Sequence, residues 1–442
     1  MPISPARVTA FDVLLAVEKK DAYASELLHS ETYRNLGNAD HRLATEIVMG
    51  VLRWRSVLDQ YISAQSSQGL KKLDVEVLIA LRIGVYQLYF LERVPARAVL
   101  HDSVELIKKA RKRSAAPFVN AVLRKIQNAP RTKVAIAQGK DAGEISQSSA
   151  HPSWLIERWI KQFGVEASRV LCAYDQQIPE TAIRMFHSSV SVELEEAGIK
   201  LASGKLLHSA SRVVSGDITK TKAFRDGRVA IQDEASQLVA LLVGNGKHIL
   251  DCCAAPGGKT RIIADRNLQA EILALELHEH RAALLRKMAP NKNIEVKTAD
   301  ATQFSTQNRF DRILADVPCS GTGTLARNPE IKWRLTPDDL PDLQSRQLAI
   351  LRAAMRQLAS GGKLIYSTCS LEEEENSVVV EAVLSQEPGF QLVPAKEELA
   401  RLQREGELIW PHISSLTQGD YMRTVPGIHP CDGFFAAVIT RN

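Results

Sequence analysis

Residues 250–260 read Leu-Asp-Cys-Cys-Ala-Ala-Pro-Gly-Gly-Lys-Thr, and what this loop holds decides the fold of the C-terminal half of the chain. Small residues, a glycine pair and a Lys-Thr ending suggest a phosphate cradle. A phosphate loop of the G-x-x-x-x-G-K-[ST] type, counted back from Gly258-Lys259-Thr260, needs glycine at position 253, and Cys253 stands there. Pro256 also lacks the N–H that such a loop would donate. The nucleotide-triphosphate reading is therefore poor.

The flanking sequence gives a better frame. Short runs rich in Ile, Leu and Val recur at 247–251 (KHILD), 271–276 (EILALE), 293–297 (NIEVK), 311–316 (DRILAD), 362–367 (GKLIYS) and 433–440 (GFFAAVIT), with helical stretches between them. Such alternation predicts a doubly wound, mostly parallel sheet, with the 250–260 loop at the carboxyl end of its first strand. Acids then fall at successive strand ends: Asp251, Glu276, Asp300 and Asp316. Helix capping would explain one or two of them. A small adenosine-type ligand at the strand ends explains the set, with Glu276 on ribose hydroxyls. No G-x-G-x-x-G occurs, which disfavours a nicotinamide. S-adenosylmethionine fits better, because its cationic sulfonium tolerates neighbouring acids.

Two cysteine motifs follow the later strands, DVPCSGTGTLARNPEIKWR at 316–334 and YSTCSLEEEEN at 366–376. Each sets a cysteine just past a strand end, so both are expected to face the crevice of the 250–260 loop. Burial as a small hydrophobe is the commonest fate of a cysteine and is the reading for Cys172, Cys252 and Cys431. Zinc is disfavoured, because Cys252 and Cys253 are adjacent and the others are far apart, so no metal is expected. A thiolate, a carboxyl group and a methyl donor together suit one reaction. Carbon 5 of cytosine is a poor nucleophile until a thiolate adds to carbon 6, and a carboxyl group at N3 stabilises the charge that develops. A base then removes the carbon 5 proton and the thiol leaves. The residues offer Cys319 or Cys369 as the thiolate and Asp316 at N3, and spacing alone does not choose between the cysteines.

The 442-residue chain is otherwise ordinary in composition, 45% hydrophobic and 24% charged, with a net charge of +5. No uninterrupted apolar run approaches a membrane span, no signal peptide is read, and six cysteines without a pairing framework suit a reducing cytoplasm. Residues 4–126 carry apolar positions at i, i+3, i+4 and i+7 and predict a helical bundle. Residues 131–150 are polar and weakly periodic and predict a linker. Residues 151–234 predict a small α+β segment, with strands at ETAIRMF and RVVSG, and 235–442 form the α/β domain. Between His101 and Lys133 nine Lys/Arg face two acids, a local charge of +7. Within it Lys108, Lys109, Arg111, Lys112 and Arg113 are candidate phosphate contacts, against the bland reading of a solvated helix face.

These motifs resemble the S-adenosylmethionine-dependent RNA cytosine-5 methyltransferases of the NOL1/NOP2/Sun family. QDEAS at 232–236 and DGFFAA at 432–437 add to the likeness. The resemblance implies a Rossmann-like catalytic domain and assigns Cys253, Ala254, Ala255, Pro256, Gly257, Gly258 and Lys259 to the cofactor loop. Glu276, Asp300 and Asp316 would touch the cofactor or the target base. It makes Cys369 the nucleophile and Cys319 the group that assists product release. DNA cytosine methyltransferases place the nucleophile in the Pro-Cys motif, so the two motifs together point to RNA. The N-terminal helices resemble NusB, an RNA-binding domain, and this pairing is similar to bacterial members of the family that act on small-subunit (16S) ribosomal RNA. A monomer is expected. Transfer RNA as substrate, and a non-catalytic RNA-binding assembly factor, are the rival readings. One departure stands in the middle segment: the family has Arg-x-Asn where this chain has Arg184-Met185-Phe186, so Arg184 keeps an RNA role and its neighbours depart from the pattern.

Overall fold

The computed structural model describes the chain except for residues 1–2, 21, 29, 34–35 and 131–137. It falls into two compact units, one of residues 1–178 with 325–335, the other of residues 179–324 with 336–442.

The first unit is helical. Asn38–Gln65 buries Ala44, Ile47, Val48, Val51, Leu58 and Ile62, the single stripe that its 3.6-residue periodicity dictates. Val75–Phe90 is apolar almost all round and is correspondingly the buried central helix, with Pro5–Lys20, Ala96–Lys109 and Ala116–Asn128 packed in the same core. Gly50 allows one close approach, since a Cβ there would lie 1.9 Å from the Tyr86 ring. Tyr86 Oη then donates to Glu46 at 2.6 Å. The expected linker is only partly irregular. Its residues 131–137 lie outside the described residues, but Ala142–Ser149 is a helix, because Asp141 caps it by accepting from the Glu144 N–H at 2.9 Å. That helix and the next two, Ser153–Phe163 and Val165–Asp175, belong to this unit.

The unit also takes in the tail of the first cysteine motif. Leu325–Leu335 is held by hydrogen bonds to helical backbone. Arg53 Nη2 donates to Ala326 O (3.2 Å), Lys332 Nζ to Arg53 O (3.0 Å) and Trp333 Nε1 to Leu52 O (2.6 Å), while Glu330 accepts from the Ala24 N–H (2.9 Å). Trp333 also packs against the helical core, a placement that no local pattern signals.

The second unit contains two sheets. In the smaller, β1 (Thr181–Met185), β2 (Lys200–Ser203), β3 (Ala210–Ser215) and β4 (Val229–Ile231) run antiparallel in the order β2-β3-β1-β4, as the segment's strand patterns predict for β1 and β3. Ile183, Val190, Leu194, Ile199 and Val229 form its own small core. The larger sheet holds β5 (His248–Asp251), β6 (Glu271–Glu276), β7 (Ile294–Thr298), β8 (Phe310–Asp316), β9 (Leu358–Thr368), β10 (Phe390–Val393), β11 (Thr417–Gln418), β12 (Tyr421–Thr424) and β13 (Phe434–Arg441). Its order is β11-β12-β13-β9-β8-β5-β6-β7, with β10 also paired to β13. The five strands β7, β6, β5, β8 and β9 are parallel, and β13 pairs antiparallel to β9. The chain order reverses at β5, whose neighbours are β6 on one side and β8 on the other. That reversal opens a crevice at the carboxyl ends of β5 and β8, where doubly wound folds bind ligands.

Candidate active site

The 250–260 loop turns from β5 into the helix Gly258–Arg266. Gly257 makes the turn with φ of 111°, a left-handed conformation that favours glycine, and a Cβ there would also lie 2.7 Å from Leu285 Cδ1. Thr260 Oγ1 donates to Asp251 Oδ2 at 2.7 Å and fixes the loop to the end of β5. Ala254 is pinned through its N–H to Leu275 O (2.9 Å). A cavity of about 170 Å³ opens beside the loop, lined by Gln232, Asp251, Cys253, Pro256, Lys259 and Asp316 among others. Burial, against the Thr260 hydrogen bond, pushes the Asp251 carboxyl up to about 7. Gln232 Nε2 donates to Ser236 Oγ at 3.0 Å, whereas its buried Oε1 has no partner among the described residues.

The acids at strand ends divide into different roles. Glu276, the last residue of β6, is buried, accepts from the His278 N–H at 3.0 Å and faces Arg281 at 3.8 Å. Asp300 lies two residues past β7, and one of its oxygens accepts from the Thr302 N–H and hydroxyl (2.9 and 2.7 Å), the geometry of a local turn. Asp316, at the end of β8, is held on both oxygens: Lys259 Nζ lies 2.8 Å from Oδ2 and Ser367 Oγ donates to Oδ1 at 2.7 Å. Burial alone would pull the Lys259 ammonium down. The Asp316 carboxylate more than reverses this, with Cys369 and Asp251 adding to it, so the ammonium is held above its usual range. Lys259 therefore points across the crevice at Asp316 rather than along its own loop, a direction that the loop motif could not reveal.

Parallel pairing of β8 with β9 sets Asp316 opposite Ser367, so both cysteine loops leave the sheet side by side. Cys319 Sγ and Cys369 Sγ stand 3.4 Å apart although 50 residues separate them. The contact with Cys369, then burial, then the nearby Glu375 hold the Cys319 thiol well above its usual range. Burial likewise raises Cys172, to about 12, and raises Cys252, Cys253 and Cys431, which makes all four poor nucleophiles. Ser320 and Ser370, each next to one of the cysteines, both hydrogen-bond Glu375, a meeting that spacing along the chain does not mark.

Most of the remaining expected contacts have partners of their own. Arg184 is largely buried, donates to Ser209 Oγ and sits 3.7 Å from Glu407. Phe186, the departure from the family pattern, lies under the Arg261 guanidinium at 3.6 Å. In the basic cluster Lys108, Lys109 and Lys112 have acidic partners in Glu105 (2.6 Å), Asp12 (3.7 Å) and Asp74 (2.9 Å). Arg111 and Arg113 are exposed and have no ion pair among the described residues, while Arg131 and Lys133 lie outside them. Among the described residues no helix is long and apolar enough to cross a membrane.

A switch-point crevice with a small-residue loop, charged side chains at the strand ends and two thiols in contact defines a doubly wound methyltransferase domain. Residues 238–440 match the 16S rRNA methyltransferase RsmB/F family and residues 4–128 match the NusB family. The chain is 31% identical over 450 residues to the probable ribosomal RNA small subunit methyltransferase B of Bacillus subtilis, covering 98% of both chains. It is 32% identical over 390 residues to the ribosomal RNA small subunit methyltransferase B of Escherichia coli, covering 83% of this chain and 90% of that one. The crystal structure of PH0851 superposes over 100% of both chains with a TM-score of 0.82 at 23% identity, a likeness of fold. The chain belongs to the 16S rRNA methyltransferase RsmB/F family.

Proposed function

We propose that the protein methylates carbon 5 of a cytosine in small-subunit ribosomal RNA, with S-adenosylmethionine as methyl donor and Cys369 as the covalent nucleophile. The observation that supports this reading best is the contact of Cys319 and Cys369 beside the Lys259–Asp316 pair, at the carboxyl edge of the parallel strands.

The crevice suits the donor chemically. It offers a turn of small residues, an acceptor without a partner in Gln232 Oε1 and the carboxyl groups of Asp251 and Glu276, which suit hydroxyl and cationic groups. When bound, S-adenosylmethionine supplies an electrophilic methyl group on its sulfonium. In this reading the protein's own groups do the rest. The Cys369 sulfur adds to carbon 6 of the ring, with the Lys259 ammonium near it. Asp316, held by Lys259 and Ser367, meets N3, where charge develops during the addition. Cys319, kept protonated by its neighbours, stays out of the addition and assists breakdown of the adduct after the carbon 5 proton has left. The helical NusB-like unit, with Arg111 and Arg113 exposed, supplies RNA affinity.

The experiment is bisulfite sequencing of total RNA from cells with and without the protein. The expected result is one cytosine in small-subunit ribosomal RNA that loses its protection when the protein is absent. Loss of protection only in transfer RNA would move the substrate, and no change at any cytosine would overturn the reaction.

A further inference from the structure

Between the two cysteine loops lies a carboxylate for which the proposed reaction has no use. Glu375 is fully buried, and four donors converge on its two oxygens. Oε1 accepts from the Ser320 N–H at 2.8 Å and from Gln347 Nε2 at 2.9 Å, and Oε2 accepts from the hydroxyls of Ser320 and Ser370. That number fills the acceptor capacity of a carboxylate. Ser320 follows Cys319 in sequence and Ser370 follows Cys369, so one side chain grips the residue next to each sulfur. The two hydroxyls are themselves 3.0 Å apart. The gripping group is braced in turn, because Tyr366 Oη donates to Glu375 O at 2.6 Å and Gln347 Nε2 also donates to Pro318 O at 3.0 Å.

Burying a carboxylate without a cation is costly unless its oxygens are fully hydrogen-bonded, and an apolar filler would serve stability as well. What an apolar residue would not do is fix two separate loops to each other. We infer that Glu375 is a positioning residue of the methyl-transfer reaction, a clasp that sets the spacing of Cys319 and Cys369 by holding Ser320 and Ser370 on one carboxylate. The inference rests on the reading of Cys369 as nucleophile and Cys319 as its release partner. It adds that their cooperation depends on a group that touches neither substrate nor cofactor. A glutamine replaces it poorly, since the negative charge is lost and both serine hydroxyls must turn from donors into acceptors to meet the amide NH2.

The test uses the full-length protein and two readouts, one of which needs no RNA. In the first, oxidised glutathione couples Cys319 to Cys369: the two thiols lose two protons and two electrons, one S–S bond forms, and glutathione disulfide is reduced to two thiols. Alkylation and mass spectrometry follow the rate. Wild type is expected to couple, and Glu375→Gln to couple between about tenfold and a hundredfold more slowly, the cost of a misplacement near 1 Å. In the second, single-turnover formation of the denaturant-resistant adduct with 16S rRNA transcript is measured against RNA concentration for Cys319→Ala and for Cys319→Ala/Glu375→Gln. The maximal rate is expected to fall while half-saturation stays within about twofold, a split that a general loss of folding would not produce. Ser320→Ala, which cuts the clasp from the other side, is expected to give the same slowing in the coupling assay if Glu375→Gln fails to fold. Equal coupling rates in wild type and Glu375→Gln, or no coupling in wild type, would overturn the clasp. Absence of any adduct in Cys319→Ala would instead overturn the covalent reading, with the coupling rates still deciding the role of Glu375.

Discussion

Cys319 and Cys369 bring their sulfurs to 3.4 Å from loops that follow neighbouring parallel strands. The contact with Cys369, with burial and the nearby Glu375, holds Cys319 as the protonated partner. The roles are therefore separable. Cys369→Ala is expected to abolish turnover and form no adduct, whereas Cys319→Ala is expected to attack and methylate, then stall as a slow protein–RNA band on a denaturing gel. The reverse pattern, with the adduct trapped in Cys369→Ala, would exchange the two assignments.

Asp316 is the acid that both Lys259 and Ser367 fix in place. Asp316→Ala is expected to lower the rate of adduct formation in the Cys319→Ala background by about a hundredfold, the usual cost of losing one electrostatic partner of a transition state. Rapid-quench measurement of the adduct checks this, and an unchanged rate would remove Asp316 from the chemistry.

Glu276 closes β6 beside the loop and is buried with one oxygen on a backbone N–H. If its other oxygen serves ribose hydroxyls, Glu276→Ala is expected to weaken S-adenosylmethionine binding by about 1–3 kcal/mol, the cost of unmade hydrogen bonds to a charged group. Isothermal calorimetry reads this directly, and equal affinities would take Glu276 out of the cofactor site.

Lys108, Lys109 and Lys112 already have acidic partners, so among the five candidate phosphate contacts Arg111 and Arg113 carry the charge without an ion pair among the described residues. Replacing both with glutamine is expected to weaken RNA binding and to reduce the slope of log affinity against log salt by about 0.7–0.9 per lost phosphate contact. A slope unaltered across a salt titration would return these arginines to plain surface.

Lys332 is buried in the helical unit near Asp175, Arg53, Cys172 and His151, and burial pushes its ammonium down to about 7. In the unfolded chain it titrates near the ordinary value of roughly 10.4. Between the two values the unfolded state binds more protons, so the lysine's contribution to stability rises with pH. From about pH 7 to pH 8.5 the wild type is expected to gain about 1–2 kcal/mol relative to Lys332→Met. The window stops where an unfolded cysteine begins to ionise, since the raised Cys172 acts in the opposite sense. Four of the five tryptophans (Trp54, Trp154, Trp159 and Trp333) lie in this unit, so denaturant midpoints followed by fluorescence report it. Parallel curves for the two proteins would show that Lys332 does not titrate in this range.

By itself the sequence determined the local elements and the chemistry on offer. Helical periodicity marked the N-terminal bundle, because one apolar stripe per helix must be buried. Ile/Leu/Val runs between helices marked β5 to β9 and β13, because strands covered on both faces read as apolar segments. The short strands β10, β11 and β12 escaped, having two to four residues each and no run long enough to show a period. Motif order placed Cys319 and Cys369 just past strand ends, since the fold puts its ligand side there. Tertiary structure alone decided which groups meet. The pairing of β8 with β9 brings two sulfurs into contact across 50 residues, and the reach of Lys259 carries a loop residue to Asp316. It also decided that Leu325–Leu335 belongs to the helical unit and that Glu375 joins the two cysteine loops. The physical reason is common to all four. Periodicity and motif spacing report what lies along the chain, whereas a hydrogen bond or thiol contact depends on side-chain directions that only the packed sheet and helices set.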